Sequence, residues 1–293
     1  MPRRVLVTGA TGVLGRELVP LLESRGAEIH TASRRDADLP RHLSGDLADS
    51  TAAAAAVRSA RPNAIVHLAG GHRTDAEALL RDNVLTTMNV LAAAAEQGRP
   101  AAVIAMGSAA EYGEPESARI DETFPLAPVS DYGRAKAAQT LLAEVVAARG
   151  GVPLTVVRPF NVVAPRLSTA TALGNITSQL LQQSGRVRTI RCGRLDIVRD
   201  FIPSSFVADV LAALAFEPSP GILNVCSGRA IELRDVIDAL AAELDVEVDV
   251  EPVEELVRIP AAARVVGDPR RLASLGFAWE TTAESIARTL LGR

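Results

Sequence analysis

The stretch Arg4 to Gly15, RVLVTGATGVLG, constrains the fold more than any other part of the chain. Arg4 to Val7 is a short apolar run rich in Val and Leu, the pattern of a buried strand. It runs directly into Gly9, Gly12 and Gly15, spaced T-G-x-x-G-x-x-G, after which Leu14, Leu18, Leu21 and Leu22 recur at helical spacing. Strand, glycine turn, helix is an order that places a helix N-terminus at the carboxyl edge of a strand. The free N–H groups and positive dipole end found there attract a pyrophosphate. Gly9 then permits the turn, Gly12 admits the anion and Gly15 lets the helix lie on the strand. Thr11, Val13 and Leu14 belong to the same anion-facing turn. A glycine motif alone often does no more than turn a chain; here the flanking strand and helix supply the context that marks dinucleotide binding.

The 293 residues allow one large α/β domain, or a large and a small one. Aromatic residues are only 3%, so Ala and Val must fill the interior. A net charge of −4 gives no basis for nucleic-acid binding. The start, MPRRVLV, lacks the apolar segment of a signal peptide, and no run is long enough to span a bilayer, so a cytoplasmic protein without membrane contact is expected. Cys192 and Cys226 make no disulfide framework. His30, His42, His67 and His72 are scattered without ligand spacing, so no metal site is expected.

Further strands are read at Glu28–Ala32, Ala64–Leu68, Ala102–Met106 and Leu154–Arg158. Helices are read at Ser50–Ala60, Asn83–Glu96 and Tyr132–Ala148, the last capped by Asp131. This alternation implies a doubly wound parallel Rossmann sheet with both faces covered. Ser33-Arg34-Arg35 closes the second strand, where an acidic residue would bind a ribose 2′-hydroxyl and arginine accommodates a 2′-phosphate; a solvated basic turn is the alternative. Ala69-Gly70-Gly71 forms a second small-residue turn. After Pro159 the period breaks down into helical segments at Ser168–Leu181, Phe206–Phe216 and Ile231–Leu244 and extended ones at Val187–Cys192, Ile222–Cys226 and Val246–Val250. The expected division is a dinucleotide-binding domain at 1–165, to which 206–228 returns, and a smaller α/β substrate-binding lobe from 166–205 and 229–293. Trp279 is expected to anchor the core of that lobe; Glu111 and Tyr112 could line the pocket, with Tyr112 expected to pack instead.

Tyr132 and Lys136 share one helix face. A phenol titrates near pH ~10, and a neighbouring ammonium lowers that value, so the pair can exchange a proton with an alcohol or carbonyl oxygen. Ser108, just past the Ala102–Met106 strand, could hydrogen-bond the same oxygen. Tyr-x-x-x-Lys alone is usually a surface pair and a lone Ser usually a cap; the combination at strand ends after a nucleotide turn is far rarer by chance.

These residues resemble the extended short-chain dehydrogenases/reductases, the nucleotide-sugar epimerase/dehydratase group. The resemblance runs through TGATGVLG, Asp46-Leu47, HLAG at 67–70, Asn83-Val84, GSAAEYG at 107–113, Tyr132-Gly133-Arg134-Ala135-Lys136, RPFN at 158–161, Arg199-Asp200-Phe201 and Asn224-Val225. It implies that Tyr132 is the general acid/base, that Lys136 holds the nicotinamide ribose and lowers the Tyr132 pKa, and that Ser108 polarises the substrate carbonyl. Asp46 and Leu47 would border the adenine. Leu68, Ala69, Gly70, Asn83 and Met106, with Pro159, Asn161 and Val162, would line the rest of the cofactor. Ser108, Ala109, Ala110, Asn161 and Arg199 would face the substrate.

In sugar 4,6-dehydratases the two positions after the Ser/Thr supply an acid and a base; Ala109 and Ala110 cannot, which argues against water elimination. Ser33-Arg34-Arg35 favours a net reductase using NADP(H), with NAD(H) the other option. The segments GSAAEYG, RPFNVVAP and GRLDIVRDF are similar to reductases of nucleotide-linked 4-keto-6-deoxyhexoses. The alternatives are an NAD-dependent nucleotide-sugar epimerase, or a nucleotide-sensing protein that keeps the fold without turnover. Ala164 and Phe206 depart from the usual Gly and Asp, which leaves room for a ketone on a larger natural product. Phe206 is expected at the mouth of the substrate pocket, with Ser204 or Ser205 capping the next helix. Outward Leu and Val on the Asn83–Glu96 and Tyr132–Ala148 helices suit a homodimer seam, as in relatives, or simply cover the sheet.

Overall fold

The computed structural model describes residues 2–71, 75–98, 101–115, 119–257 and 263–293; His72 lies outside them. The chain divides into two units, Met1–Gly113 with Glu122–Pro159 and Ser204–Asn224, and Glu114–Asp121 with Phe160–Pro203 and Val225–Arg293.

The first unit is built on a parallel sheet of seven strands: β1 (Arg4–Thr8), β2 (Glu28–Ser33), β3 (His42–Ser44), β4 (Ala64–His67), β5 (Ala102–Met106), β6 (Leu154–Pro159) and β7 (Gly221–Val225). Their order is β7-β6-β5-β4-β1-β2-β3, so the strand order, not the strand direction, reverses between β1 and β4, the place where open α/β sheets leave a crevice for a ligand. Alternate strand residues face opposite sides. Leu6, Ile65, Val103, Ala105 and Val156 pack with α2 (Ser50–Ala60), α3 (Thr86–Ala95) and α4 (Asp131–Gly150). Helix α1 (Val13–Ser24) packs on α5 (Ser204–Phe216), which lies on β4 and β5. Ala53, Ala56, Ala60, Ala94, Ala143 and Ala147 supply much of the buried helix surface, which lets helices lie close with almost no aromatic residues.

Several local expectations are corrected. Strand β3 is too short to register as a pattern. The helix read from Asn83 starts at Ala76 and widens into a π turn over Leu80–Leu85. That turn buries Asp82, Asn83 and Val84 consecutively, which a 3.6-residue period cannot do. Ser130, not Asp131, caps α4, accepting from the Gly133 N–H at 3.0 Å; Asp131 pairs instead with Arg134. Helix α5 begins at Ser204, whose hydroxyl donates to Glu17 Oε1 at 2.6 Å rather than capping, and Phe206 is buried inside the helix instead of lining a pocket mouth.

In the second unit, helices Ala172–Gln182, Leu233–Leu244 and Ala283–Leu291 enclose Leu173, Ile176, Leu180, Val236, Leu240 and Ile286. Strand Val187–Cys192 pairs in parallel with Glu247–Pro252, and Asn161–Val163 with Phe201–Pro203. The break falls at Pro159 because Phe160 N–H donates to the Val225 carbonyl and Asn161 joins Phe201 in register. Residues 119–121 belong here because Ile120 exchanges backbone hydrogen bonds with Val266 and Asp268. Buried Asp200 accepts from Ser227 N–H, Ser227 hydroxyl, Gly228 N–H and Gly267 N–H at 2.7 to 3.2 Å and so ties three loops together. Trp279 is 37% exposed and is not the core anchor expected of it.

Candidate active site

The glycine turn follows β1 at the reversal point. Gly9 has φ +67°, and a Cβ there would fall 2.7 Å from the Leu68 carbonyl carbon and the Ala69 nitrogen at the end of β4. Gly12 is the N-cap of α1, makes no side-chain cap, and is followed by no acidic residue in the first turn. Thr11, Gly12 and Val13 are exposed and Leu14 is half-buried. The helix's first N–H groups and its positive end are therefore left for an anion, and this turn fits a dinucleotide pyrophosphate.

The Ser33-Arg34-Arg35 turn is more engaged than its sequence suggests. The Ser33 hydroxyl donates to the Arg35 carbonyl at 2.7 Å, and Arg34 Nη1 pairs at 3.1 Å with Asp82, a buried carboxylate of the π turn. Arg35 is exposed. Asp46 pairs with Arg81. The Leu47 side chain is buried in the core and its carbonyl accepts from Asn89. Asn83 donates to the Gly71 and Leu79 carbonyls and accepts from Gly71 N–H, fixing the turn after β4.

Ser108 follows β5 and caps a short 3-10 turn, Ala109–Tyr112. Its hydroxyl is near enough to the Tyr132 phenol, in the first turn of α4, to draw that phenol's pKa down. Gly133 permits this approach: a Cβ there would lie 2.5 Å from the Ala110 carbonyl oxygen. Lys136, one turn on, is buried; its Nζ donates to the Met106 carbonyl at 2.8 Å and to Gln139 Oε1 at 2.9 Å, and lies 5.9 Å from the Tyr132 ring centroid. The expectation that Lys136 lowers the phenol is not met here. Burial pushes Tyr132 up to about 12; the Ser108 hydroxyl opposes this and the Glu111 charge adds to it. Burial brings Lys136 down to about 8, against the pull of Glu111. Lys136 is turned to Met106 and Gln139, acceptors no pattern in the sequence had flagged. His67 is neutral, pushed down to about 3 by burial and then by Lys136; the Thr8 hydroxyl accepts from Ala69 N–H and shares a hydrogen bond of 2.8 Å with His67 Nδ1.

Pro159 ends β6 in this unit. Asn161, Val162 and Arg199 belong to the second unit, where Asn161 Nδ2 donates to the Asp200 carbonyl and Arg199 Nη1 to the Val198 carbonyl. Ala109 and Ala110 are half-buried and carry no proton-transfer group. Glu111, which the sequence allowed as a pocket-lining residue, is instead buried and paired with buried Arg158; that pairing was not read from the sequence, although S-x-x-E at 108–111 is a capping-box spacing. Among the described residues no group of three or more His, Cys, Asp and Glu could hold a metal ion, and no helix is long and apolar enough to cross a membrane. A cavity of about 1220 Å³ lined by Arg4, Glu28, Asn63, Ala102 and Pro153 lies at the opposite, amino edge of the sheet.

The NAD dependent epimerase/dehydratase family model matches residues 5–226. The chain is 30% identical over 259 residues to dTDP-6-deoxy-L-talose 4-dehydrogenase (NAD(P)(+)) of Kitasatospora kifunensis, covering 85% of this chain and 81% of that one. It is 28% identical over 309 residues to GDP-6-deoxy-D-mannose reductase of Pseudomonas aeruginosa, covering 99% and 97%. Among solved structures, UDP-glucose 4-epimerase of Thermus thermophilus in complex with NAD matches with a TM-score of 0.82 at 28% identity, covering 98% and 97%.

Proposed function

The chain belongs to the NAD dependent epimerase/dehydratase family, and on that premise we propose that it is an NADPH-dependent ketoreductase acting on a keto group of a nucleotide-linked deoxysugar or a related natural product. The observation that carries this reading is the Tyr132 phenol with the Ser108 hydroxyl beside it and Lys136 one turn away, in the same unit as an uncapped glycine-turn helix. The Gly9–Gly12 turn would hold the pyrophosphate, Ser33, Arg34 and Arg35 the 2′-phosphate, and Lys136 the nicotinamide ribose. When bound, the nicotinamide supplies the hydride. Ser108 steadies the ketone oxygen and Tyr132 delivers the proton as that oxygen gains charge. A phenol held near 12 keeps its proton throughout the neutral range, which suits delivery better than abstraction. Lys136 and solvent then reload it. Alanine at 109 and 110 supports redox exchange over dehydration.

The test is NADPH oxidation against dTDP- and GDP-linked 4-keto-6-deoxyhexoses and glycosylated natural-product ketones. Stoichiometric consumption with at least one of them is expected; none with any would defeat the reading. One observation favours an epimerase with retained NAD: Arg34 is already paired with Asp82. NAD co-purifying with the protein, and sugar inversion without NADPH loss, would decide for it. The choice turns on Arg35. Arg35→Ser should weaken NADPH about tenfold, the worth of one charge-assisted hydrogen bond, and change NADH less than about twofold in a fluorescence titration. Equal effects on both would remove the 2′-phosphate assignment.

The homodimer reading is supported by Leu141, Leu142 and Val145 exposed on α4 and Leu85 at the end of the π turn. Light scattering should give twice the chain mass, and Leu141→Lys with Leu142→Lys the single mass. A wild-type monomer would refute the seam.

A further inference from the structure

Glu111 has 0% exposure, and nothing in the proposed reaction uses it. Its Oε1 accepts from the Ser108 backbone N–H at 2.8 Å, and Oε2 accepts from Arg158 Nε at 2.9 Å and Nη2 at 2.8 Å. Arg158 is also buried, at 3% exposure, and lies 4.7 Å over the Tyr112 ring, whose hydroxyl donates to Asn224 Oδ1. Gly107 leaves the space: a Cβ there would fall 2.5 Å from Glu111 Oε1 and 2.9 Å from Val156 Cγ1.

Stability is a poor reason to keep such a pair. Removing two ions from water costs several kcal/mol each, and apolar residues of like volume often do as well. What the pair does that apolar residues cannot is grip one N–H, that of the residue whose hydroxyl meets the Tyr132 phenol. We propose that Glu111, clamped by Arg158, is a positioning residue for Ser108, fixing the backbone from which its hydroxyl reaches Tyr132. The proposal rests on the ketoreductase reading. The grip is reciprocal: the Ser108 hydroxyl accepts from Ala110 N–H at 3.2 Å while Glu111 holds the Ser108 N–H, so hydroxyl and carboxylate lock the turn from both sides. The Glu111 charge also acts on both neighbours, raising the phenol and opposing the burial of Lys136.

Misplacing a reacting group by an ångström can cost about a hundredfold, so a partial loosening should cost about tenfold. Glu111→Gln keeps the volume but turns an N–H₂ group toward either Arg158 or the Ser108 N–H. With the 4-keto-6-deoxyhexose nucleotide reduced best by the wild type, kcat should fall about tenfold, with both KM values within about twofold. The decisive measurement is a double-mutant cycle with Ser108→Ala. If Glu111 acts through Ser108, Glu111→Gln adds less than about twofold once the hydroxyl is gone. If the two effects multiply, or Glu111→Gln alone leaves kcat unchanged, the proposal falls. Should Glu111→Gln not fold, Arg158→Lys, which keeps the charge and loses the fork, enters the same cycle with the same criterion. Tyr132→Phe run in parallel separates the levels: full turnover in that variant, or no turnover by the wild type, overturns the ketoreductase reading and this proposal with it.

Discussion

Tyr132→Phe is expected to cut ketone reduction about a hundredfold or more, the usual cost of losing a general acid, while NADPH affinity changes less than about twofold. The substitution removes one oxygen and keeps the ring, so α4, capped by Ser130, is not disturbed. What disappears is the phenol that lies beside the Ser108 hydroxyl. The oxygen that gains charge on hydride arrival would then have Ser108 alone, a hydroxyl without a proton source behind it. Lys136 cannot substitute, because its Nζ is held by the Met106 carbonyl and Gln139, 5.9 Å from the ring centroid. The measurement is single-turnover NADPH oxidation, which separates the chemical step from product release. A variant within about threefold of wild type would remove Tyr132 from the chemistry.

Signals local to one strand, turn or helix were legible in the sequence. The glycine turn announced itself because each glycine meets a constraint set within a few residues or one strand away: φ +67° at Gly9, and the Ala10 backbone 2.5 Å from a Cβ at Gly15. The Tyr132–Lys136 spacing placed both residues on one helix face. The direction of the Tyr132 pKa was not legible, because it depends on burial first and then on Ser108 and Glu111, which lie outside its helix. Arg34 and Asp82 are 48 positions apart, and Glu111 and Arg158 are 47 apart, so no window of the sequence shows either ion pair. Asp82 faces inward only because the helix widens at Leu80–Leu85, which hydrophobic periodicity read as an ordinary helix beginning later. The two-residue strands of the second unit, Val198–Arg199 and Ile231–Glu232, exist by pairing alone and carry no alternation to detect.

Gly9→Ala should be nearly as damaging, by a different route. Its φ of +67° is a conformation an alanine adopts at a cost of about 1–2 kcal/mol. The added methyl would also meet backbone atoms of Leu68 and Ala69 at 2.7 Å, and backbone yields less readily than a flexible side chain. Overpacking of this kind costs about 1–3 kcal/mol more. The strain has a single outlet, moving the turn away from β4. That movement breaks the Gly9 N–H bond to the Ala32 carbonyl and the Gly12 N–H bond to Gly9, and it tilts the free N–H groups of α1 off the position an anion needs. Stability should therefore fall by about 3 kcal/mol in urea unfolding, and NADPH should bind at least about tenfold more weakly. The pairing of the two losses is the test. Lost stability with unchanged NADPH affinity would mean that the turn supports the sheet but does not hold the dinucleotide, and the site would have to be sought elsewhere on the carboxyl edge.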